Sequence, residues 1–358
     1  MIDIVRQRLR NQRLASSGFQ KPGEPGEVIA WLGAMQAQDF AGAKWALGMR
    51  APGITDADVD RAFDRGRILR THLLRPTWHF VAAADIRWVL ALTAPRVHAM
   101  NALYYRKCGL DTRLFARSAT IVERALQGGR HSTRSELASV LRRAGIHADG
   151  MRLAYLMMRA ELDGIICSGP RRGKQFTYAL VAERAPRARM LERDEALAEL
   201  TRRYFSSHGP ATLRDYSWWS GLTIREARAG VEMLQKTLVK EAIDGRTYWL
   251  LPPATGRRSK AAPVYLLPNY DEYLIAYKDR DRVLESSPVT RRGAVEHPHH
   301  LIIDGQVRGS WKRMPGTTVT TIEVRPFRPL QKNEGFALAA AAARYGRFLG
   351  MPVTVSCG

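Results

Sequence analysis

The chain is poor in cysteine and in negative charge, and it has no apolar run long enough to span a bilayer. Its three cysteines, Cys108, Cys167 and Cys357, lie far apart and form no Cys-x-x-Cys pair. That argues against a zinc ribbon, an iron–sulfur cluster and a disulfide framework, and suits a reducing compartment. The opening Met-Ile-Asp-Ile-Val-Arg-Gln-Arg has no signal-peptide pattern, so a cytoplasmic protein without membrane contact is expected. Acidic residues number 34 against 56 Lys plus Arg, a formal charge of +22. Such a surplus favours a polyanionic partner, because each neutralised phosphate releases condensed counterions. With no membrane span in view, nucleic acid is the partner this charge points to.

What is present reads as a folded chain of 358 residues, long enough for several compact units. In its middle, Thr133-Arg134-Ser135-Glu136 has the form of a capping box opening a short helix. A second helix follows the break at Gly145 and Gly150, with Met151, Tyr155, Met158 and Leu162 spaced to share one face. Arg152 and Arg159 fall on another, outward stripe. Next come the β-prone Ile165-Ile166-Cys167, a basic loop holding Arg171, Arg172 and Lys174, and Phe176–Leu180. Helix, helix and charged-tip hairpin is the order of a winged helix-turn-helix.

The same order recurs after Asp194. A helix runs towards Phe205, and Thr212–Trp219 starts another. An apolar stripe through Ile224, Ala227, Val231, Leu234 and Leu238 leaves Arg225 and Arg228 outside it, and a hairpin turns on Asp244-Gly245. Residues 1–82 read as a looser first copy, with helices around Ile4–Leu14, Val28–Met35, Ala41–Met49 and Asp56–Arg65. Their hairpin is Ile68–Leu74, the Arg75-Pro76 turn and Thr77–Val81. The expected fold is α+β, with three tandem winged helix-turn-helix modules followed by a small C-terminal β-barrel or half-barrel with one helix. The expected boundaries are 1–125 (with a helical connector from Ala82), 126–190, 191–253 and 254–358, the last unit entered through a linker at Thr255–Lys260.

Several clusters invite chemistry. Arg171, Arg172 and Lys174 at a wing tip suit phosphate contact, and Arg152, Arg159, Arg225 and Arg228 would join a collective basic surface. Arg70 and His72, two apart on one strand beside Trp78, suit phosphate contact and stacking. His297, His299 and His300 have no acid or cysteine cluster at ligand spacing, so no metal is expected. Asp271-Glu272 would point to opposite faces of an extended segment, which favours a structural contact across the domain boundary over an acid/base pair. The run Gln36-Ala37-Gln38-Asp39 follows the apolar stretch Val28–Met35. Its two amides suit either an interhelix joint or the water-holding pair of a DNA-processing enzyme.

Taken in order, Met35-Gln36-Ala37-Gln38-Asp39, Thr71-His72-Leu73, Arg75-Pro76-Thr77-Trp78-His79, Asp271–Leu274 with Tyr277–Arg280, and Ile303-Asp304-Gly305 with Gly309-Ser310-Trp311 resemble the AlkZ family of DNA glycosylases, which includes the YcaQ-type enzymes. The resemblance spans essentially the whole chain. It implies tandem winged helices in a C-shape and a signature of Gln, a hydrophobic residue, then Gln or Asp. That places catalysis on Gln36 and Gln38 with Ala37 as spacer; Asp39 and His72 are possible supporting residues, and in the Gln/Asp branch the acid stands where Gln38 stands here. It also implies a monofunctional, metal-free and cofactor-free enzyme that excises alkylated purines from double-stranded DNA. N7-alkylguanines are the model lesion, and some members act on interstrand crosslinks or bulky adducts. A nucleoid-associated monomer is the expected form. The alternative is a non-catalytic winged-helix DNA-binding protein or transcriptional regulator, against which stands the lack of a recognisable ligand domain or dimerisation helix.

Overall fold

A computed structural model describes residues 3–14, 23–252, 263–284 and 298–358. The first unit comprises α1 (Ile4–Asn11), α2 (Pro25–Leu32), β1 (Met35–Gln36), α3 (Phe40–Arg50), α4 (Asp56–Asp64), β2 (Ile68–Leu73) and β3 (Thr77–Ala82). Asp39 caps α3 by accepting the Gly42 N–H at 3.1 Å, and Thr55 with Asp58 forms a capping box on α4. The strands pair antiparallel in the order β1-β3-β2, which leaves β1 on the edge.

Two long helices, α5 (Ile86–Lys107) and α6 (Thr112–Leu126), lead to β4 (Ser132–Thr133), α7 (Arg134–Arg143), α8 (Gly150–Leu162), β5 (Ile166–Ser168), β6 (Thr177–Leu180) and α9 (Val181–Arg184). The capping box of α7 forms as its sequence suggests, between Thr133 and Glu136. The expected face of α8 is corrected. Tyr155 and Leu162 are buried, but Met151 is 59% exposed, and Leu153, Leu156, Met157 and Ala160 complete the buried set. The helix packs against α5, α6 and β2 together, so its covered arc is wider than a single stripe.

The third group is α10 (Arg193–Ser207), α11 (Leu213–Ser220), α12 (Ile224–Met233), β7 (Val239–Ile243) and β8 (Arg246–Leu250). Asp244 and Gly245 both take positive φ, 49° and 72°, as the hairpin turn requires. The apolar stripe drawn through Leu238 is shorter than expected, because α12 ends at Met233 and Ile224 at its start is exposed.

The C-terminal part contains β9 (Val264–Leu267), α13 (Glu272–Ile275), β10 (His299–Ile303), β11 (Gln306–Met314), β12 (Thr320–Pro326), α14 (Lys332–Leu349) and β13 (Val353–Cys357). Its sheet runs β13-β12-β11-β10-β9 as a curled half-barrel, with β9 and β13 as open edges. The expected linker at Thr255–Lys260 lies outside the described residues.

Two hydrophobic cores meet at the first unit's small sheet. One joins Met35, Ala37, Phe63 and Phe80 to Leu266, Trp311, Ile322 and Phe348 of the half-barrel. The other joins Leu69, Leu73 and Val81 to Trp88 of α5, Tyr204 and Trp219 of the third group, and Tyr277. The edge strand β1 is thereby fixed from both sides, although it is only two residues long. No described helix is long and apolar enough to cross a membrane.

Candidate active site

The Gln pair is held on the edge of that sheet. Met35 and Gln36 pair with Phe80 and His79, and the Ala37 N–H continues the ladder to the Trp78 carbonyl at 2.8 Å. Ala37 is fully buried in the core, Gln36 is 8% exposed, and Gln38, past the strand end, is exposed. The backbone N–H of Gln36 donates to Glu272 Oε1 at 2.8 Å, and its side-chain Oε1 accepts from Arg75 Nη2 at 3.0 Å. Gln38 Oε1 accepts a long bond from the Trp78 N–H at 3.4 Å.

Beneath the pair lies a buried polar cluster that draws on four elements. Glu272 Oε2 accepts the Trp219 indole N–H at 2.9 Å and lies 3.5 Å from His208 Nε2. Burial pushes the Glu272 carboxyl up, but His208, the Gln36 N–H and His79 outweigh it and hold the group below the usual carboxylate range. Burial pushes His208 down, against the pull of Glu272. His79 sits opposite Gln36 and donates its Nδ1–H to the Thr77 carbonyl at 2.9 Å; burial and the Arg75 charge push it down to about 3. Arg75 is also lowered by burial, against the pull of Glu272. Arg50 and Asp271 form a fully buried bidentate pair next to this cluster, at 2.7 and 2.8 Å.

A family model described as DNA glycosylase AlkZ-like matches residues 29–348. The chain belongs to the AlkZ-like DNA glycosylase family. It is 25% identical, over 342 residues and 91% of each chain, to an interstrand DNA cross-link repair glycosylase of Streptomyces sahachiroi. A solved structure, the DNA glycosylase AlkZ of Streptomyces sahachiroi, has a TM-score of 0.82 at 23% identity, with 100% of both chains covered. That similarity establishes the shared fold. The family's enzyme class is the hydrolysis of N-glycosidic bonds in DNA.

Within this glycosylase, ladder register separates the Gln36 surface from Arg70 and His72. Residues directly opposite in a ladder share a face, so Gln36, His79 and Thr71 lie on one side, and Trp78 with His72 on the other. There the His72 Nδ1 contacts Glu161, and Trp78 Nε1 donates to the same carboxylate at 3.4 Å. Arg70 is buried between the Trp78 and Phe176 rings, 4.3 and 4.6 Å from their centroids, and donates to the Ala37 carbonyl at 2.9 Å. Burial lowers its guanidinium to about 10.

A cavity of about 630 Å³ opens beside Arg70 and Trp78 and includes Lys174, which is exposed in the loop between β5 and β6. Arg171 is tied to Asp64 and Asp60, and Arg172 to Glu136 and the His131 carbonyl. Arg152 caps the end of α5 at Cys108, and Arg159 pairs with Asp163. Arg225 and Arg228 are exposed on α12, with Arg228 lining a cavity of about 1030 Å³. Asp39 serves as the α3 cap. His299 accepts the Asn269 N–H on β10, burial and His299 lower His300 to about 4, and His297 lies outside the described residues.

The sequence reading gave no role to Arg75, His79 or Trp219. A signal for Arg75 was available, since Arg75-Pro76 forms a hairpin turn that must project a long side chain. Glu272 was read as a structural contact, and its packing under Gln36 makes it part of the site.

Proposed function

We propose that this chain is a monofunctional glycosylase that excises alkylated purines, of the N7-alkylguanine type, from double-stranded DNA by water attack at C1′, with Gln36 and Gln38 positioning the water. One observation carries this reading: a buried Gln36 and an exposed Gln38 lie two residues apart at the sheet edge, and Gln36 is fixed through its backbone by buried Glu272 and through its side chain by half-buried Arg75. A guanine alkylated at N7 leaves as a neutral base, so no general acid is required. Water must be placed and an oxocarbenium-like sugar tolerated, and a preorganised amide oxygen serves both needs. No step calls for a metal. Crosslinked or bulky N7 adducts are compatible with the same chemistry.

In this proposal the three helix–hairpin groups act as winged-helix modules arranged in a C around the duplex. Lys174, Arg225 and Arg228 offer exposed charge to phosphates, with Arg171, Arg172, Arg152, Arg159, Arg70 and His72 supporting that surface. DNA bearing 7-methylguanine, incubated with the protein, should yield free base and heat-labile abasic sites. The Gln36→Ala/Gln38→Ala double variant should lose release while still binding DNA. Equal release by that variant removes the catalytic assignment. No release by the wild type from any alkylated duplex favours a DNA-binding regulator instead.

A further inference from the structure

The two glutamines are held in unequal ways. A guanidinium carries donors only, so the 3.0 Å contact from Arg75 Nη2 fixes the Gln36 amide with Oε1 towards Arg75 and Nε2 turned away. Among the described residues no acceptor engages that Nε2. Gln38 is exposed, and its oxygen receives only the 3.4 Å bond from the Trp78 N–H, a length at the weak end of hydrogen bonding.

Arg75 is itself well fixed. Its guanidinium lies 5.6 Å from the Trp218 ring centroid, and Lys278 stands 4.4 Å from the same ring. Leu74 before it takes a positive φ of 59° and packs so closely on α11 that a Cβ on Gly221 would lie 2.0 Å from the Leu74 carbonyl oxygen. Arg280 lies close enough to oppose the charge of Arg75. The Gln36 side of the site thus presents outward donors beside Arg75 and Arg280, while the Glu272 carboxylate is engaged by the Gln36 backbone N–H and the Trp219 indole. That is a poor neighbour for a sugar gaining positive charge at C1′, and a good one for a phosphate.

We propose that the glutamines divide the work: Gln38 holds the attacking water, and Gln36, oriented by Arg75, presents its amide NH₂ to a phosphate oxygen of the damaged strand. This rests on the catalytic reading of the pair given above and assigns each member a different task. In the step itself, the water oxygen forms the bond to C1′ and the C1′–N9 bond breaks. Its electron pair passes to the purine and cancels the N7-alkyl charge. The water's proton passes to solvent, which reaches the exposed Gln38. Arg75 is a positioning residue in this scheme.

The test separates binding from chemistry. Single-turnover release is measured on duplex containing 7-methylguanine, and affinity on the same duplex with a 2′-fluoro lesion nucleotide that resists hydrolysis. Gln38→Ala should lower the saturating rate about tenfold or more and leave affinity unchanged. Gln36→Ala and Arg75→Ala should weaken binding about fivefold and leave the saturating rate within about threefold. Gln36→Glu keeps an oxygen for Arg75 but offers a phosphate no donor, so it should bind more weakly than Gln36→Ala. Arg75→Lys, which retains a donor, should recover much of the affinity. A Gln36→Ala variant that loses saturating rate with intact affinity overturns the division, as does a Gln36→Glu variant that binds like the wild type. Wild-type release by both single alanine variants refutes the catalytic reading itself, a result distinct from either.

Discussion

Glu272 holds the backbone of Gln36: its Oε1 accepts that residue's N–H at 2.8 Å, while its Oε2 accepts the Trp219 indole N–H at 2.9 Å. Both partners are donors, so the site needs two acceptor oxygens. Glu272→Gln supplies only one and must set its NH₂ against a second donor in a fully buried position. The expected cost is about 1–3 kcal/mol, read by urea denaturation, together with weaker binding of the lesion duplex because Gln36 loses its anchor. A Glu272→Gln protein as stable as the wild type would show that the carboxylate is not an obligatory double acceptor.

The buried pair of Arg50 and Asp271 joins α3 to the segment that carries Glu272. Its two bonds are 2.7 and 2.8 Å with both side chains fully excluded from solvent, and Arg50 Nη2 also donates to Gln12 Oε1 at 3.0 Å. Asp271→Ala strands a buried guanidinium and should destabilise the protein by about 3–5 kcal/mol. Arg50→Met/Asp271→Leu should recover a large part of that loss, since no uncompensated charge then remains. A double variant as unstable as the single one would place the effect in packing.

Asp39 stands next to the Gln pair and caps α3 through the Gly42 N–H at 3.1 Å. Asn caps as well as Asp does, so Asp39→Asn should preserve stability and keep 7-methylguanine release near the wild-type rate. Asp39→Ala should cost about 1 kcal/mol in thermal or urea unfolding. If Asp39→Asn abolishes release while the protein stays folded, Asp39 is the base and the amides serve it.

Local order was legible where a residue type has a local cause. The capping box at Thr133, the Asp244-Gly245 turn and the Arg75-Pro76 hairpin follow from short-range chemistry, and all form. Asp271 and Glu272 make structural contacts to Arg50 and Gln36 as expected, but they cap and open α13 and are not an extended segment. What sequence spacing did not reveal is which core each face meets. Met151 shares a helical stripe with Tyr155, yet it is exposed, because α8 packs on three elements at once. Nor could spacing show that His72 faces Glu161 and not Gln36, since that depends on ladder register. The contact between Arg75 and Gln36 spans 39 residues and is set by the packing of a hairpin tip against α11.

Neither amide of the proposed site titrates, so release should vary little with pH while the fold holds; stability should not share this indifference. Burial and the Arg75 charge push His79 down to about 3 from the ordinary 6.5, and burial with His299 pushes His300 down to about 4. Above pH 6.5 both are neutral whether folded or unfolded, so they contribute no slope. As pH falls below 6.5 the unfolded chain binds protons that the folded chain refuses, and stability is lost until the folded pKa is reached. Each histidine should remove up to about 1.4 kcal/mol per pH unit in that window. Urea midpoints should therefore be level from pH 8 to about 7 and decline from about 6 downwards. His79→Asn, which keeps a donor for the Thr77 carbonyl, should make that decline shallower. An unchanged slope in His79→Asn would show that His79 is already protonated in the fold, paired with Glu272.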